Sequence, residues 1–63
     1  MKRHALVRHL RRHHCRMLRE GRAHTIWENT LTGQAQPLPR HTEIPNQLAR
    51  KICRELGIPD PPG

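Results

Sequence analysis

Apolar residues recur at helical spacing near both ends of this chain of 63 residues. In the first segment, from Lys2 to about His13, Leu6 and Leu10 lie one helical turn apart and Val7 widens the apolar stripe. Arginine side chains occupy the remaining faces. The pattern therefore predicts a short amphipathic helix that ends near His13.

A second helical pattern runs from Pro45 to Leu56. Leu48, Ile52 and Leu56 follow one another at helical spacing, which places their side chains on one face of a helix. Proline is accommodated in the first turn, because the N–H group that it lacks is not needed there. Gly57 is expected to end the helix, since glycine readily adopts the left-handed conformation of helix C-termini.

Three segments between the two helices have the residue pattern of strands. Cys15–Glu20 alternates imperfectly between apolar and polar residues, and His24–Trp27 is rich in β-branched and aromatic residues. Alternation puts His24 and Ile26 together on one face of the second strand. Gln34–Leu38 is predicted as the third strand. Because Pro37 and Pro39 lack N–H donors, it should lie at the edge of the sheet or be irregular.

The order helix-strand-strand-strand-helix predicts a small single domain of the α+β class. We expect a three-stranded antiparallel sheet with both helices on one face, so that the other face stays open for binding. The domain is expected to cover residues 1–58. The Pro-rich segment 59–63 is expected to be an extended, flexible tail.

The stretch between the first two strands contains the residues best suited to catalysis or phosphate binding. Gly21 can take a positive φ, so we expect it to close a hairpin between a strand ending at Glu20 and a strand beginning near His24. Arg19 and Arg22 lie close by in the sequence. This arrangement would place one imidazole at a strand edge among guanidinium groups, which bind phosphate well.

The charge of the chain points to a polyanionic partner. Twelve Lys and Arg residues against five Asp and Glu residues give a net charge of +7. Nucleic acid is favoured over a membrane surface, because membrane-bound helices need aromatic or leucine anchors and the chain has one aromatic residue. A basic surface that only maintains solubility is the competing interpretation.

The cysteines and the amino-terminal segment indicate a cytoplasmic protein. Cys15 and Cys53 are far apart in the sequence and are expected to be reduced, buried residues. Arginine and histidine residues interrupt the apolar positions of the first fifteen residues. We therefore expect neither a signal peptide nor a membrane span, and no membrane partner.

Three segments of the chain resemble the HicA toxins of bacterial type II toxin-antitoxin pairs. They are Arg-Glu-Gly-x-x-His-Thr at residues 19–25, Pro-Arg-His-x-Glu-Ile at residues 39–44 and Leu-Ala-Arg-Lys-Ile-Cys at residues 48–53. The similarity extends from the first helix to Ile58. It implies a fold like the double-stranded RNA-binding domain, an mRNA interferase activity and neutralisation by a HicB antitoxin. We expect no metal or other cofactor, because the five acidic residues are scattered along the chain.

In that family a hairpin glycine precedes an essential histidine, and the matching residues here are Gly21 and His24. Members often carry a small polar residue between the two, whereas this chain has Arg22 and Ala23. A neutral imidazole can remove the proton of a ribose 2′-hydroxyl, and a positioned general base contributes roughly 10²- to 10⁴-fold in rate. His24 is therefore the predicted catalytic base; without the family resemblance, a polar residue at a strand edge would be the simpler interpretation.

Arg19, Arg22 and Arg40 are the predicted RNA-binding residues, because a guanidinium group matches two phosphate oxygens. Solvated surface charge is the competing interpretation for each of them. His41 could supply an acid or hydrogen-bond a loop carbonyl. Trp27 could stack on a base, fill the core or anchor the antitoxin.

Two other functions are open at this point. One is a non-catalytic RNA-binding module of the same fold, and the other is a purely structural or protein-interaction domain. A zinc site is not expected, because the available ligands lack the paired spacings that such sites use. These ligands are His13, His14, Cys15, His41 and Cys53.

Overall fold

The computed structural model describes residues 1–62 and has the predicted order of elements. The elements are helix α1 (Arg3–Arg12), strands β1 (Cys15–Glu20), β2 (His24–Asn29) and β3 (Ala35–Pro39), and helix α2 (Asn46–Glu55). The strands form one antiparallel sheet in the order β1-β2-β3. The prediction of the α+β class is therefore confirmed, and the proline-containing strand lies at an edge as expected.

One face of the sheet carries both helices. Helix α1 packs over β1 and α2 packs over β3. Trp27 and Leu38 project from this face into a single core that also receives residues from both helices. The helical contributors are Leu6, Leu10, Ala49, Ile52 and Cys53. The opposite face of the sheet has no helix over it in the part of the chain that the structure describes.

The imperfect alternation of the first strand corresponds to a bulge at Leu18. Met17 pairs with Trp27 and Arg19 pairs with Ile26, so Leu18 is an extra residue without a partner on β2. Residues directly opposite each other share a face of the sheet. The bulge therefore returns Arg19 to the open face that Ile26 occupies, in place of the helix-covered face that strict alternation would give it.

Gly57 ends α2 in the way that the sequence predicts. Its φ of +72° lies in the left-handed region. Its N–H donates to the Arg54 carbonyl at 3.0 Å, and the Ile58 N–H donates to the Cys53 carbonyl at 3.0 Å. These two bonds form a Schellman motif, which satisfies carbonyl groups of the last helical turn.

The first residues of the predicted flexible tail contact both helices. His9 Nε2 lies 2.8 Å from the Pro59 carbonyl oxygen. Arg54 Nε and Nη2 donate to the two carboxylate oxygens of Asp60 at 3.1 and 3.0 Å. Pro59 and Asp60 of the predicted tail therefore contact the domain, and the flexibility of the tail stays a prediction. Gly63, the last residue of that tail, lies outside the described residues.

Cys15 and Cys53 are buried free thiols, as predicted. Burial raises the pKa of Cys15, and burial together with Asp60 raises the pKa of Cys53 to about 11. Both thiols are therefore held in the protonated form at neutral pH.

Within residues 1–62, no helix has the length and apolar character that crossing a bilayer would require.

Candidate nucleic-acid interface

His24 is an exposed residue at the start of β2, on the face of the sheet without helices. Thr25 and Trp27 are buried beneath the helices, so alternation directs His24 and Ile26 to the other side. The sequence predicted that His24 and Ile26 share a face, and in the structure this is the face without helices. The residue pairs with Pro39 of β3, and its carbonyl accepts a hydrogen bond of 2.8 Å from the Gly21 N–H.

Two of the predicted RNA-binding arginines lie at the same end of the sheet as His24. The bulge places Arg19 on the open face, diagonally across the strand pair from His24. Arg22 is exposed in the loop between β1 and β2. Neither guanidinium has an ion pair or a hydrogen-bond acceptor within residues 1–62, whereas Arg16 on the same face is paired with Glu28 at 3.3 Å.

The predicted conformation of Gly21 is wrong, although its position in the hairpin is right. Its φ is outside the left-handed region, in contrast to Gly33 and Gly57. A Cβ atom at this position would lie 3.0 Å from the carbonyl oxygen of His24. Glycine is therefore favoured here by the close approach of two backbone segments and not by a positive φ.

Arg40 holds the hairpin loop and is not a free phosphate ligand. Its Nη1 donates to the Gly21 carbonyl at 2.8 Å, and its Nη2 lies 3.2 Å from a carboxylate oxygen of Glu20. Its backbone N–H donates to the Ala23 carbonyl at 3.2 Å. Arg40 thus joins the end of β3 to the loop that precedes His24, and a phosphate would have to compete with Glu20 for its guanidinium.

Trp27 belongs to the core, so of its three predicted roles the core role is correct. Its side chain is 2% exposed, and its indole N–H donates to Thr25 Oγ1 at 2.9 Å. The Arg11 guanidinium lies over the indole ring, 5.1 Å from its centroid. This cation–π contact covers the ring, which leaves no accessible face for an RNA base or an antitoxin side chain.

His41 is exposed in the segment between β3 and α2. Its side chain has no hydrogen-bond partner among the 62 described residues, so the loop contact that the sequence suggested is not formed. The role of an acid for His41 stays a prediction.

Residues 1–62 contain no group of three or more His, Cys, Asp or Glu side chains that could hold a metal ion.

Sequence reasoning missed two arginines of α1 that face the sheet. Arg3 Nε donates to the Pro39 carbonyl at 3.0 Å, and its Nη2 donates to Thr25 Oγ1 at 3.0 Å. Arg11 covers Trp27, as described above. The signal was present in the spacing, because Arg3, Val7 and Arg11 recur at intervals of four residues and therefore share one helix face.

The two faces of the sheet thus carry different sets of cationic residues. The open face carries His24 and Arg19, with Arg22 at the adjoining loop, and none of the three is buried. Such a surface is accessible to an extended polyanion and has no deep pocket for a small molecule.

No protein-family model, curated protein or solved structure matches the chain.

Proposed function

We propose that this chain is a metal-independent endoribonuclease of the HicA toxin type, which acts on mRNA in the cytoplasm and uses His24 as its general base. The observation that supports the proposal best is the exposure of His24 on the helix-free face, beside two arginines that have no side-chain partner among residues 1–62. The resemblance of three segments to HicA toxins supplies the reaction class. Net charge of +7 supplies the attraction to RNA.

In the proposed reaction His24 removes the proton of a ribose 2′-hydroxyl. The 2′ oxygen then forms a bond to the adjacent phosphorus, and the bond from phosphorus to the 5′ oxygen breaks. The products are a 2′,3′-cyclic phosphate and a 5′-hydroxyl, whose proton comes from water or from His41. An exposed imidazole is suited to this task because the substrate strand can approach it without entering a pocket.

Arg19 and Arg22 are proposed to hold the reacting phosphate. Their guanidinium groups have no carboxylate partner in the described chain, so binding a phosphate does not require an existing ion pair to break. Their charge would also stabilise the additional negative charge of the phosphorane. Arg40 acts as a positioning residue, because it fixes the loop between Gly21 and His24.

A HicB-like antitoxin is the proposed protein partner. Neutralisation requires that the partner cover His24 or the arginines around it. A partner surface rich in Asp and Glu would complement this basic face and speed the encounter. Loss of antitoxin binding in a variant with reversed charge at Arg19 would test this proposal.

A second candidate is a non-catalytic RNA-binding module of the same fold. One observation favours it: within residues 1–62 the His24 imidazole has no hydrogen-bond partner, whereas a general base is commonly oriented by a second group. The two candidates share the RNA-binding face and differ in whether RNA is cut.

The decisive experiment compares His24→Ala with His4→Ala, which alters an exposed histidine on α1. Each purified protein is mixed with end-labelled single-stranded RNA in excess chelator. We expect the His24 variant to lose cleavage by at least about 10²-fold and to keep its RNA affinity, while the His4 variant cleaves normally. Unchanged cleavage by His24→Ala would exclude His24 as the base. RNA binding without any cleavage by the unaltered chain would establish the second candidate.

A further inference from the structure

We propose that a groove between α1 and β1 binds a phosphate group of the RNA, on the side of the sheet opposite His24. This inference rests on the proposed function for the identity of the ligand as RNA. The groove has a volume of about 370 Å³ and is called the arginine groove below. Its charged lining residues are Arg3, Arg11, Glu20 and Arg40, and Thr25 and Trp27 also line it.

The arginine groove carries an excess of two positive charges. Three arginines line it, and Glu20 is its single acidic residue. The Glu20 carboxylate is paired with Arg40 at 3.2 Å. The charges of Arg3 and Arg11 therefore have no carboxylate to offset them within the groove, and an anion would be attracted there.

The guanidinium groups are held in place before any anion binds. Arg3 is half-buried, and two of its nitrogens donate to the neutral oxygens of Pro39 and Thr25. Neutral acceptors fix the group without cancelling its charge, and within the described residues its Nη1 has no acceptor. The Arg11 guanidinium lies over the Trp27 ring. This contact leaves the N–H groups at the edge of the guanidinium free to donate. Preorganised donors bind an anion with less loss of side-chain entropy.

The position of the groove favours a phosphate of the RNA chain over other anions. Glu20 and Arg40 connect the groove to the loop that leads into His24. Arg22 extends from this loop. A strand of RNA that crosses the loop can therefore place one phosphate in the groove and another on the open face.

The test uses two matched variants, each in the full chain that also carries His24→Ala to prevent cleavage. Arg11→Gln removes a charge from the groove, and Arg12→Gln removes the same charge from the same exposed turn of α1 outside the groove. Affinity for a single-stranded RNA of 12 nucleotides is measured at several salt concentrations. We expect about tenfold weaker binding for Arg11→Gln, less than about twofold for Arg12→Gln, and a salt slope lower by about 0.7 in the first case.

Side-chain NMR provides a second readout that does not depend on any groove variant. The Nε–Hε signal of Arg3 is expected to shift when the same RNA is added. Equal effects of the two glutamine variants, or an unchanged Arg3 signal, would overturn the proposal. A peptide of 12 glutamates that binds as tightly as the RNA and requires Arg11 would also overturn it, since the groove would then recognise an acidic protein.

The outcomes separate this inference from the proposed catalytic function. Weakened RNA binding by Arg11→Gln together with absent cleavage by the unaltered chain would support phosphate binding in the arginine groove and exclude the catalytic function. Cleavage that depends on His24, together with equal RNA affinities of the two glutamine variants, would support the catalytic function and exclude phosphate binding in the arginine groove.

Discussion

Arg40 Nη1 donates a hydrogen bond of 2.8 Å to the carbonyl oxygen of Gly21, across 19 residues of sequence. The bond joins the end of β3 to the loop between β1 and β2, and His24 is the first residue after that loop. Arg40 therefore restrains the loop that leads to the candidate base, together with the pairing of His24 and Pro39. A hydrogen bond to a charged donor of this kind contributes about 1 to 2 kcal/mol to stability, and less where solvent has access.

Replacement of Arg40 by Met is expected to loosen the loop and slow RNA cleavage. The variant keeps the aliphatic part of the side chain and loses both loop contacts. Displacement of a catalytic group by about 1 Å costs on the order of 10²-fold in rate, so we expect a fall of kcat between tenfold and a hundredfold. Hydrogen exchange of the loop amides should become faster.

Arg22→Met is the matched control, because it removes the same charge from the loop itself. Arg22 has no side-chain hydrogen bond in the described chain, so this variant should raise KM and leave exchange of the loop amides unchanged. Identical exchange rates in the two variants would contradict the role of Arg40 as a positioning residue.

The periodicity of the sequence was sufficient to predict the elements and to place His24 and Ile26 together on one face of the sheet. Both helices follow from apolar residues at a spacing of three and four, and alternation separates His24 and Ile26 from Thr25 and Trp27. Which of the two faces the helices cover is decided by the packing of Trp27 against them. Gly57 was also predictable, since a glycine after the last apolar residue of a helix favours the Schellman motif that it forms. The predicted features depend on neighbouring residues alone.

The features that the sequence did not predict depend on contacts between distant residues. The face of Arg19 depends on a bulge whose position is visible only when β1 is paired with β2. The preference for glycine at position 21 comes from the nearby carbonyl of His24. The stacking of Arg11 on Trp27 joins two residues that are 16 positions apart in the sequence.

Gly21→Ala tests whether the close backbone approach maintains the site. The added Cβ would lie 3.0 Å from the His24 carbonyl oxygen, and since that atom belongs to the backbone, the start of β2 must move. We expect a loss of about 1 to 2 kcal/mol in the free energy of unfolding, together with a large fall in cleavage rate. Urea denaturation and single-turnover cleavage measure the two effects.

Gly33→Ala separates lost stability from damage to the site. Gly33 has a φ of +80° and open space around its Cβ position, so alanine there is strained by its backbone conformation alone. It lies in the turn at the other end of the sheet. We expect a similar loss of about 1 to 2 kcal/mol with an unchanged cleavage rate of the folded protein. Equal falls in cleavage for the two variants would show that stability, and not the loop, controls the rate.

The contact between Arg54 and Asp60 predicts how stability responds to acid. The hydrogen bonds from Arg54 lower the pKa of Asp60 below its ordinary value. A carboxyl whose pKa is lowered by folding stabilises the protein above its pKa in the unfolded chain, about 3.9, and this contribution disappears as the pH falls through the folded pKa. We therefore expect Asp60→Asn to lower the urea midpoint at pH 7 and to have little effect at pH 2.

Glu55→Gln is the control for this pH dependence. Glu55 is an exposed carboxylate of α2 with no ion pair in residues 1–62. Its replacement should leave the urea midpoint nearly unchanged at both pH values. A difference between Asp60→Asn and the unaltered chain that persists at pH 2 would show that the Asp60 carboxylate is not the source of the effect.

The bulge at Leu18 allows a comparison of two deletions that differ in one side chain on the open face. Deletion of Leu18 leaves Arg19 opposite Ile26 in a regular strand pair, and deletion of Arg19 places Leu18 there. Both deletions remove the extra residue and keep Met17 and Glu20 on the face with the helices. We expect both chains to fold with similar stability, because Leu18 and Arg19 are both exposed.

The two deletions should differ in RNA binding. The chain without Leu18 keeps the guanidinium beside His24 and should bind and cleave RNA nearly as the unaltered chain does. The chain without Arg19 loses one phosphate contact, which should weaken binding several-fold and lower the salt slope by about 0.7. Affinities for a single-stranded RNA, measured with His24→Ala in both chains, test this directly. Equal affinities would mean that Arg19 is a solvated surface charge, and the open face would then bind RNA without it.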